Sequence, residues 1–308
     1  GSTYIATIRV FFDPEGVRER LGAAGVKFAE TSSKPVLLLP VFRDAAGGVR
    51  LWDESNPWLR AWGRFRAPPG LVPLVTPLGD LEDVAEVGGD SEIINDAGKL
   101  ARIAQRYGAG DVVIAEAGLK TGEDGRPIIQ TLAERRGDFP APKLIRRAFT
   151  GQSFDELDGV LLQVATRVWQ AVETDWKNRN LIRYGYENVL PARAAFARLQ
   201  EWAEIRRRLE AADIVRGVTI SRLDRSGARL SIAYQGELPQ LTTALAQRDL
   251  TLQTAGDLWL VSLAAPLEAA PAAGGDALGA AQPGLQETMR GADREFDGGA
   301  PLETRTLR

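Results

Sequence analysis

The order of apolar patterns between residues 181 and 263 most restricts what this chain can fold into. Strands carry apolar residues at every second position, whereas helices carry them at every third or fourth. Six segments follow one pattern or the other, in this chain order: strand 181–195, helix 196–211, strand 214–223, strand 228–234, helix 238–248 and strand 250–263. Residues 224–227 end in glycine and are typical of a hairpin turn. The patterns therefore predict two helices packed against four strands.

This strand–helix–strand–strand–helix–strand order is that of a ferredoxin-like domain, which we predict over residues 177–263. Residues 255–257 include a glycine and interrupt the last strand. A polar stretch at 175–180 spans the boundary with the preceding domain and is typical of an interdomain linker.

The preceding segment, residues 33–176, predicts a mixed-sheet α/β domain. Residues 35–42 and 112–117 are almost continuously apolar, as expected for strands that are covered on both faces. A helical pattern at 91–107 lies between them, and a predicted hairpin at 127–149 follows. Residues 152–175 then form a long amphipathic helix. Strands that alternate with helices favour parallel pairing, and the hairpin adds antiparallel strands.

The two ends of the chain differ from these segments. Gly1 and Ser2 are typical of a cleavage remnant left by expression, so residues 1–32 are interpreted as this remnant plus the strand and helix of a truncated amino-terminal domain. The strand is predicted at 4–12, and a helix begins after Asp13 with a proline in its first turn. Residues 264–308 are rich in Ala, Gly and Pro without periodicity, which predicts a disordered tail.

Two absences restrict the possible chemistry. The 308 residues include no histidine and no cysteine, which excludes Ser-His-Asp and Cys-His catalysis and the common zinc sites. The formal net charge of −3 argues against a nucleic-acid groove, which is normally basic. No apolar run approaches the ~20 residues that span a bilayer. We therefore predict no catalytic residue, no metal site, no cofactor, no nucleic-acid partner and no transmembrane segment.

A tryptophan-rich segment is the candidate interaction surface. Three of the seven tryptophans lie within 11 residues, and the candidate residues are Trp52, Asn56, Trp58 and Trp62. Trp58 and Trp62 are four residues apart and share one helix face. Exposed indoles are typical of surfaces that recognise a partner or ligand. The alternative is a set of core side chains that pack a short helix onto the sheet.

Several segments resemble a family of proteobacterial envelope proteins designated domain of unknown function 2066. The matching segments are 4–13, 34–40, 51–52 with 56–58, 202–209, 241–245 and Trp259. The resemblance implies an exported protein whose signal peptide precedes this sequence, and it assigns no activity. The apolar strand at 36–40 and the helix, turn and strand around 107–117 are similar to α/β domains in the amino-terminal part of TolB and in lipoprotein activators of cell-wall synthases.

These observations favour a non-enzymatic interaction or scaffolding module of the periplasm or cell envelope. Its expected partners are envelope proteins, with an inner-membrane transporter as one candidate. One alternative is a carrier of a small molecule or lipid with a tryptophan-lined pocket. A second alternative is a hydrolase that works through two carboxylates in one cleft.

Overall fold

Two mixed β-sheets and the helices packed on them form the part of the chain that the structure describes. The structure, a computed structural model, describes residues 10–264 except 54, 88–94, 184, 186, 225–226 and 257. The helices within this part are α1 (Pro14–Ala23), α2 (Pro57–Arg64), α3 (Leu81–Val87), α4 (Ala97–Arg106), α5 (Leu157–Arg179), α6 (Leu199–Glu210) and α7 (Leu238–Ala246). The strands are β1 (Val36–Arg43), β2 (Val49–Arg50), β3 (Leu74–Val75), β4 (Asp111–Thr121), β5 (Pro127–Gly137), β6 (Ala141–Thr150), β7 (Glu187–Ala194), β8 (Val215–Asp224), β9 (Gly227–Gln235), β10 (Leu250–Ala255) and β11 (Leu258–Leu263).

The first sheet has the order β2-β1-β4-β5-β6, and β3 pairs with the same edge of β1 as β2 does. β1 is parallel to β3 and to β4, whereas the β4–β5 and β5–β6 pairs are antiparallel. The expected mixed sheet is therefore confirmed. Seven of the eight β1 residues are buried, because helices cover both of its faces. The helices α2 and α5 pack on one face, and α4 packs on the other.

Local sequence signals determine where the first helices begin. The Asp13 carboxylate accepts hydrogen bonds from the amides of Glu15 and Gly16, and a proline occupies the first turn of α1. Asn56 caps α2 in the same way, again with a proline in the first turn. The helix predicted after Asp13 is confirmed. It contributes no buried side chain.

The second sheet has the order β10-β11-β7-β9-β8. The strands β7, β9 and β8 are antiparallel neighbours, as the ferredoxin-like prediction requires. The interrupted last strand forms two strands, because the chain turns at Gly256, whose φ is +63°. β11 therefore lies parallel to β7, and β10 is moved to the sheet edge. The helices α6 and α7 cover one face over a core that includes Trp202, Ile205 and Leu241.

The chain ends lie largely outside this description. Residues 4–9 of the predicted strand 4–12 lie outside the described residues, and 10–12 belong to no strand. The predicted tail lies outside them too, apart from residue 264. None of the described helices combines the length and the apolar character that crossing a membrane requires.

Candidate binding groove on the first sheet

The structure places the tryptophan-rich segment mainly inside the protein. Trp58 is 0% exposed and Trp62 is 5% exposed, and both belong to the core beneath α2 and α5. Their rings meet edge to face with centroids 5.4 Å apart. The Trp58 indole N–H donates to the Ala115 carbonyl at 2.9 Å. Trp52 is partly buried and packs on the opposite face of the sheet, with the α4 core. Trp58 and Trp62 are therefore core side chains, which is the alternative interpretation of the tryptophan-rich segment.

Asn56 is also 0% exposed and has a structural environment. Its side-chain oxygen accepts from the amides of Trp58 and Leu59. Its side-chain nitrogen donates to the carbonyls of Pro40, Arg50 and Leu51. A side chain whose donors and acceptor are all used within the protein has none left for a partner. The four candidate residues thus do not form a continuous surface in this conformation.

A groove of about 640 Å³ opens elsewhere on the first sheet. The residues that line it come from the β1–β2 connection and from β1, β4, β5 and β6. Side chains alternate between the faces of a strand, so Glu116 and Lys120 share the α4 face with Ile114. The α4 core includes β4 only as far as Ile114, so Glu116, Gly118 and Lys120 lie outside this core. A volume of this size is typical of ligand sites.

The strand order places the groove at a reversal of the sheet connections. The chain passes from β1 to β3 on one side of β1 and returns to β4 on the other side. The connection from β1 to β3 contains α2 on one face, and the connection from β3 to β4 contains α4 on the opposite face. The chain therefore crosses the sheet in opposite directions on its two faces. In open α/β sheets, ligands bind outside the carboxyl ends of the strands at such a reversal. Arg43 and Lys120, at the carboxyl ends of β1 and β4, both line the groove.

Two small residues flank Gln130 on the floor of the groove. Gly118 on β4 pairs with Gln130 on β5, which pairs in turn with Ala148 on β6. Gly118 has no side chain and Ala148 has only a methyl group, so the floor is low on both sides of Gln130. A Cβ added to Gly118 meets its nearest atoms at 3.7 and 3.9 Å, which is ordinary contact. A larger residue at 118 would therefore fill the groove without displacing the backbone.

Basic residues outnumber acidic ones in the lining of the groove. The side chains of Arg43, Lys120 and Arg146 lie on the groove face, Arg147 lies on the same strand with its side chain on the other face, and two lining residues are acidic, although the whole chain carries a net charge of −3. Arg43 pairs with Glu116 at 2.8 Å. Lys120, Arg146 and Arg147 are exposed and make no ion pair with any described residue. Cations without a partner create a positive potential that attracts acidic groups.

The two carboxylates of the groove are both held by neighbouring groups. Asp44 accepts from the amides of Gly48 and Ala46 and pairs with Arg50, and these contacts hold its pKa below the usual value, the Gly48 hydrogen bond having the largest effect. Glu116 is paired with Arg43. A general acid in a hydrolase needs a raised pKa, which a desolvated carboxyl without a cation provides. The contacts of Asp44 lower its pKa instead, so they do not favour a role as general acid.

A second set of acidic side chains surrounds Arg106 on α4. Asp80, Glu82 and Asp83 pair with its guanidinium at 2.8 to 3.0 Å. The buried Asp83 also accepts from the Tyr107 hydroxyl at 2.7 Å. Burial is the main cause that raises the Tyr107 pKa. No group of three acidic residues in the described chain has the geometry of a metal site.

Sequence reasoning did not identify the groove residues, since they are separated by up to about 100 positions. Arg43, Lys120 and Arg146 come together only through the register of four strands. The signal that the sequence does contain is local. Two adjacent arginines in a predicted strand, at 146 and 147, put one guanidinium on each face of the sheet.

Comparison with known proteins assigns no family. No family model and no curated protein matches the chain. Among solved structures, the chain is similar to a Xanthomonas campestris protein assigned to domain of unknown function 330, with 13% identity and a TM-score of 0.20. The match covers 56% of this chain and 96% of the other. A TM-score this low transfers neither fold nor function. The resemblances to domain of unknown function 2066 and to TolB stay predictions.

Proposed function

We propose that this protein is a non-enzymatic interaction module of the bacterial cell envelope and that it binds a partner protein in the groove on the first sheet. The observation that carries the proposal is the basic groove at the reversal of the sheet connections. It combines a location typical of ligand sites with cations that no described side chain neutralises.

The polar groups of the groove favour binding over catalysis. Its carboxylates are paired with arginines, and its remaining ionisable groups are lysine and arginine. Arginine stays protonated in proteins and therefore seldom serves as a general acid or base. The chain contains no histidine or cysteine that would supply a nucleophile or base instead. Cations arranged along a strand and an adjacent groove are suited to the recognition of an acidic surface.

The envelope location and the class of partner extend the proposal through the family resemblance. Periplasmic location would place envelope proteins, including an inner-membrane transporter, within reach of the groove. Osmotic-shock fractionation of cells that express the natural gene tests the location. Recovery of the protein only with cytoplasmic markers would contradict it.

Site-specific photo-crosslinking tests binding in the groove. A photoreactive residue at Gln130, exposed on the groove floor, should give one defined crosslinked product in living cells. The same residue at Thr219, exposed on the second sheet, is the matched control and should give none. Mass spectrometry of the product identifies the partner.

A groove-filling substitution tests whether the groove itself is required. Gly118→Leu should abolish the crosslink at Gln130 while the protein stays folded. Gly217→Leu is the matched control in β8, where an added Cβ meets no atom within 4 Å. Equal crosslinking in both variants, or an equal product from Thr219, would contradict the proposal.

A further inference from the structure

The outer edge of β6 borders the groove, and no described strand pairs with it. β6 ends the first sheet and pairs with β5 alone among the described strands. It is ten residues long, whereas β2 and β3 at the opposite edge have two residues each. An uncovered edge presents unpaired backbone groups that can pair with another chain. The length of β6 is sufficient to receive a complete strand.

The pairing of β5 with β6 shows which backbone groups face outward. The Gly151 amide donates to the Pro127 carbonyl, so this pair is hydrogen-bonded. Hydrogen-bonded and non-hydrogen-bonded pairs alternate in an antiparallel ladder. Phe149 and Arg147 therefore bond to β5, whereas the amides of Arg146, Ala148 and Thr150 point away from it. These three amides lie in the row of residues that faces the groove.

The side chains of β6 add a charge pattern to this edge. Lys143, Arg146 and Arg147 are exposed and form no ion pair within the described chain. Arg146 points to the groove face, in register with Leu132 on β5, and Arg147 points to the α5 face. A strand that added to this edge would place its own side chains beside them. Two consecutive acidic residues would then meet one arginine on each face.

The other long edge differs in charge. β8 is also ten residues long and lies at the edge of the second sheet. Its cations are already paired, Arg216 with Glu30 at 2.8 Å and Arg222 with Asp224 at 3.3 Å. Two register irregularities also disturb its pairing with β9. Of these two long edges in the described chain, β6 is therefore the one with charge complementarity to an acidic strand.

We infer that β6 is a docking edge for an extended segment of a partner protein that carries two consecutive acidic residues, and that this segment adds to the first sheet as a new strand. This inference rests on the proposed function, because it specifies how the partner enters the groove. Backbone hydrogen bonds to Arg146, Ala148 and Thr150 hold the added strand against β6. The arginines supply the preference for acidic residues.

Fluorescence anisotropy with synthetic peptides tests the charge preference. The probe is a labelled ten-residue peptide in which threonine and valine alternate around a central aspartate–glutamate pair. Its control carries asparagine and glutamine at those two positions. The acidic peptide should bind about tenfold more tightly than the control, and its affinity should fall as salt screens the charges. Equal binding of the two peptides would overturn the preference.

Substitutions at the edge test the site. Arg146→Glu with Arg147→Glu should weaken binding of the acidic peptide by about tenfold or more. Arg167→Glu with Arg229→Glu changes the net charge equally at exposed positions outside β6 and should have little effect. Ala148→Pro removes one outward amide without breaking a bond to β5 and should weaken binding, whereas Ala148→Ser should not.

Amide exchange measured by NMR separates strand addition from charge attraction. Binding of the acidic peptide should slow exchange at Arg146, Ala148 and Thr150. Unchanged exchange there, or full binding by Ala148→Pro, would overturn strand addition. Such a result would leave the crosslinking test at Gln130 intact, so the two proposals can fail separately.

Discussion

Asn56 joins three segments of chain with one side chain. Its oxygen caps α2, and its nitrogen donates to Pro40 within β1, to the last residue of β2 and to the residue after β2. A helix cap contributes about 1 kcal/mol, and each buried polar group left without a partner costs about 1–3 kcal/mol. Both effects apply at this position.

Asn56→Ala should therefore destabilise the protein by about 2–4 kcal/mol, as measured by chemical denaturation. Asn56→Asp should be similarly destabilising near neutral pH, because it keeps the cap but places a carboxylate against three carbonyls. Asn178→Ala, at an exposed position of α5, is the control and should change stability by less than about 0.5 kcal/mol. A small loss of stability in Asn56→Ala would contradict this structural role of the Asn56 side chain.

Arg135 and Asp111 form a buried ion pair between β5 and β4. Their side chains are 1% and 2% exposed, and the Arg135 Nε donates to Asp111 at 2.8 Å. The guanidinium also lies over the Trp176 ring, 5.0 Å from its centroid. Removal of one partner of such a pair leaves an uncompensated buried charge.

Arg135→Met should thus cost about 3–5 kcal/mol of unfolding free energy. The double variant Asp111→Asn with Arg135→Met should cost less than the single one, because no buried charge remains. Denaturant unfolding of the wild type, both single variants and the double variant measures the coupling. A double variant that is less stable than Arg135→Met would contradict this account.

At the scale of an element, α6 stabilises itself through pairs of side chains one turn apart. Glu204 pairs with Arg207 and with Arg208, each at 2.6 Å. Hydrogen bonds from Arg207 and then Arg208 lower the Glu204 pKa from 4.5 to about 2. A folded-state pKa below the unfolded one means that the stabilisation is present above pH 4.5 and is lost as the pH falls toward 2.

Glu204→Gln should accordingly lower the Tm near neutral pH, since the charged pairs of α6 are lost. The difference from wild type should shrink between pH 4.5 and 2 and disappear below that range. Thermal melts across the acid range measure it. Glu123→Gln, at an exposed loop position, should show no such trend. A difference that stays constant down to pH 2 would contradict the assignment.

At the scale of the whole molecule, residues 31–34 connect the two sheets through hydrogen bonds. The Thr31 carbonyl accepts from the Trp176 indole beside the first sheet, at 2.7 Å. The Ser32 amide donates to Asp213, and the Lys34 amide donates to Gln247, both beside the second sheet. The described residues also belong to one compact unit, Gly1–Glu268. The two sheets should therefore unfold together.

Hydrogen exchange of the wild type should give one common opening free energy for the central strands β1 and β9. The double variant Asp213→Ala with Gln247→Ala removes two bonds to this segment and should let β9 exchange before β1. Asp124→Ala in a loop should leave the two strands coupled. Separate opening of the strands in the wild type would contradict the prediction.

Sequence patterns were sufficient for most of the described elements and for the mixed first sheet. Apolar periodicity and cap residues such as Asp13 and Asn56 act within a few positions, so they can be recognised without tertiary information. The last strand was predicted as one interrupted strand. The turn at Gly256 lets the second half of this segment, β11, pair with β7. Which half of the segment occupies the edge of β7 depends on competition between β10 and β11, which the sequence pattern does not show.

The sequence by itself determined the order of helices and strands, the apolar faces and the absence of histidine and cysteine chemistry. The tertiary structure decided that Trp58 and Trp62 face the core and that the basic groove lies on the other side of the sheet. The physical reason is register. Arg43, Gly118, Lys120 and Arg146 meet only because four strands align with one another, and the α4 core includes β4 only as far as Ile114.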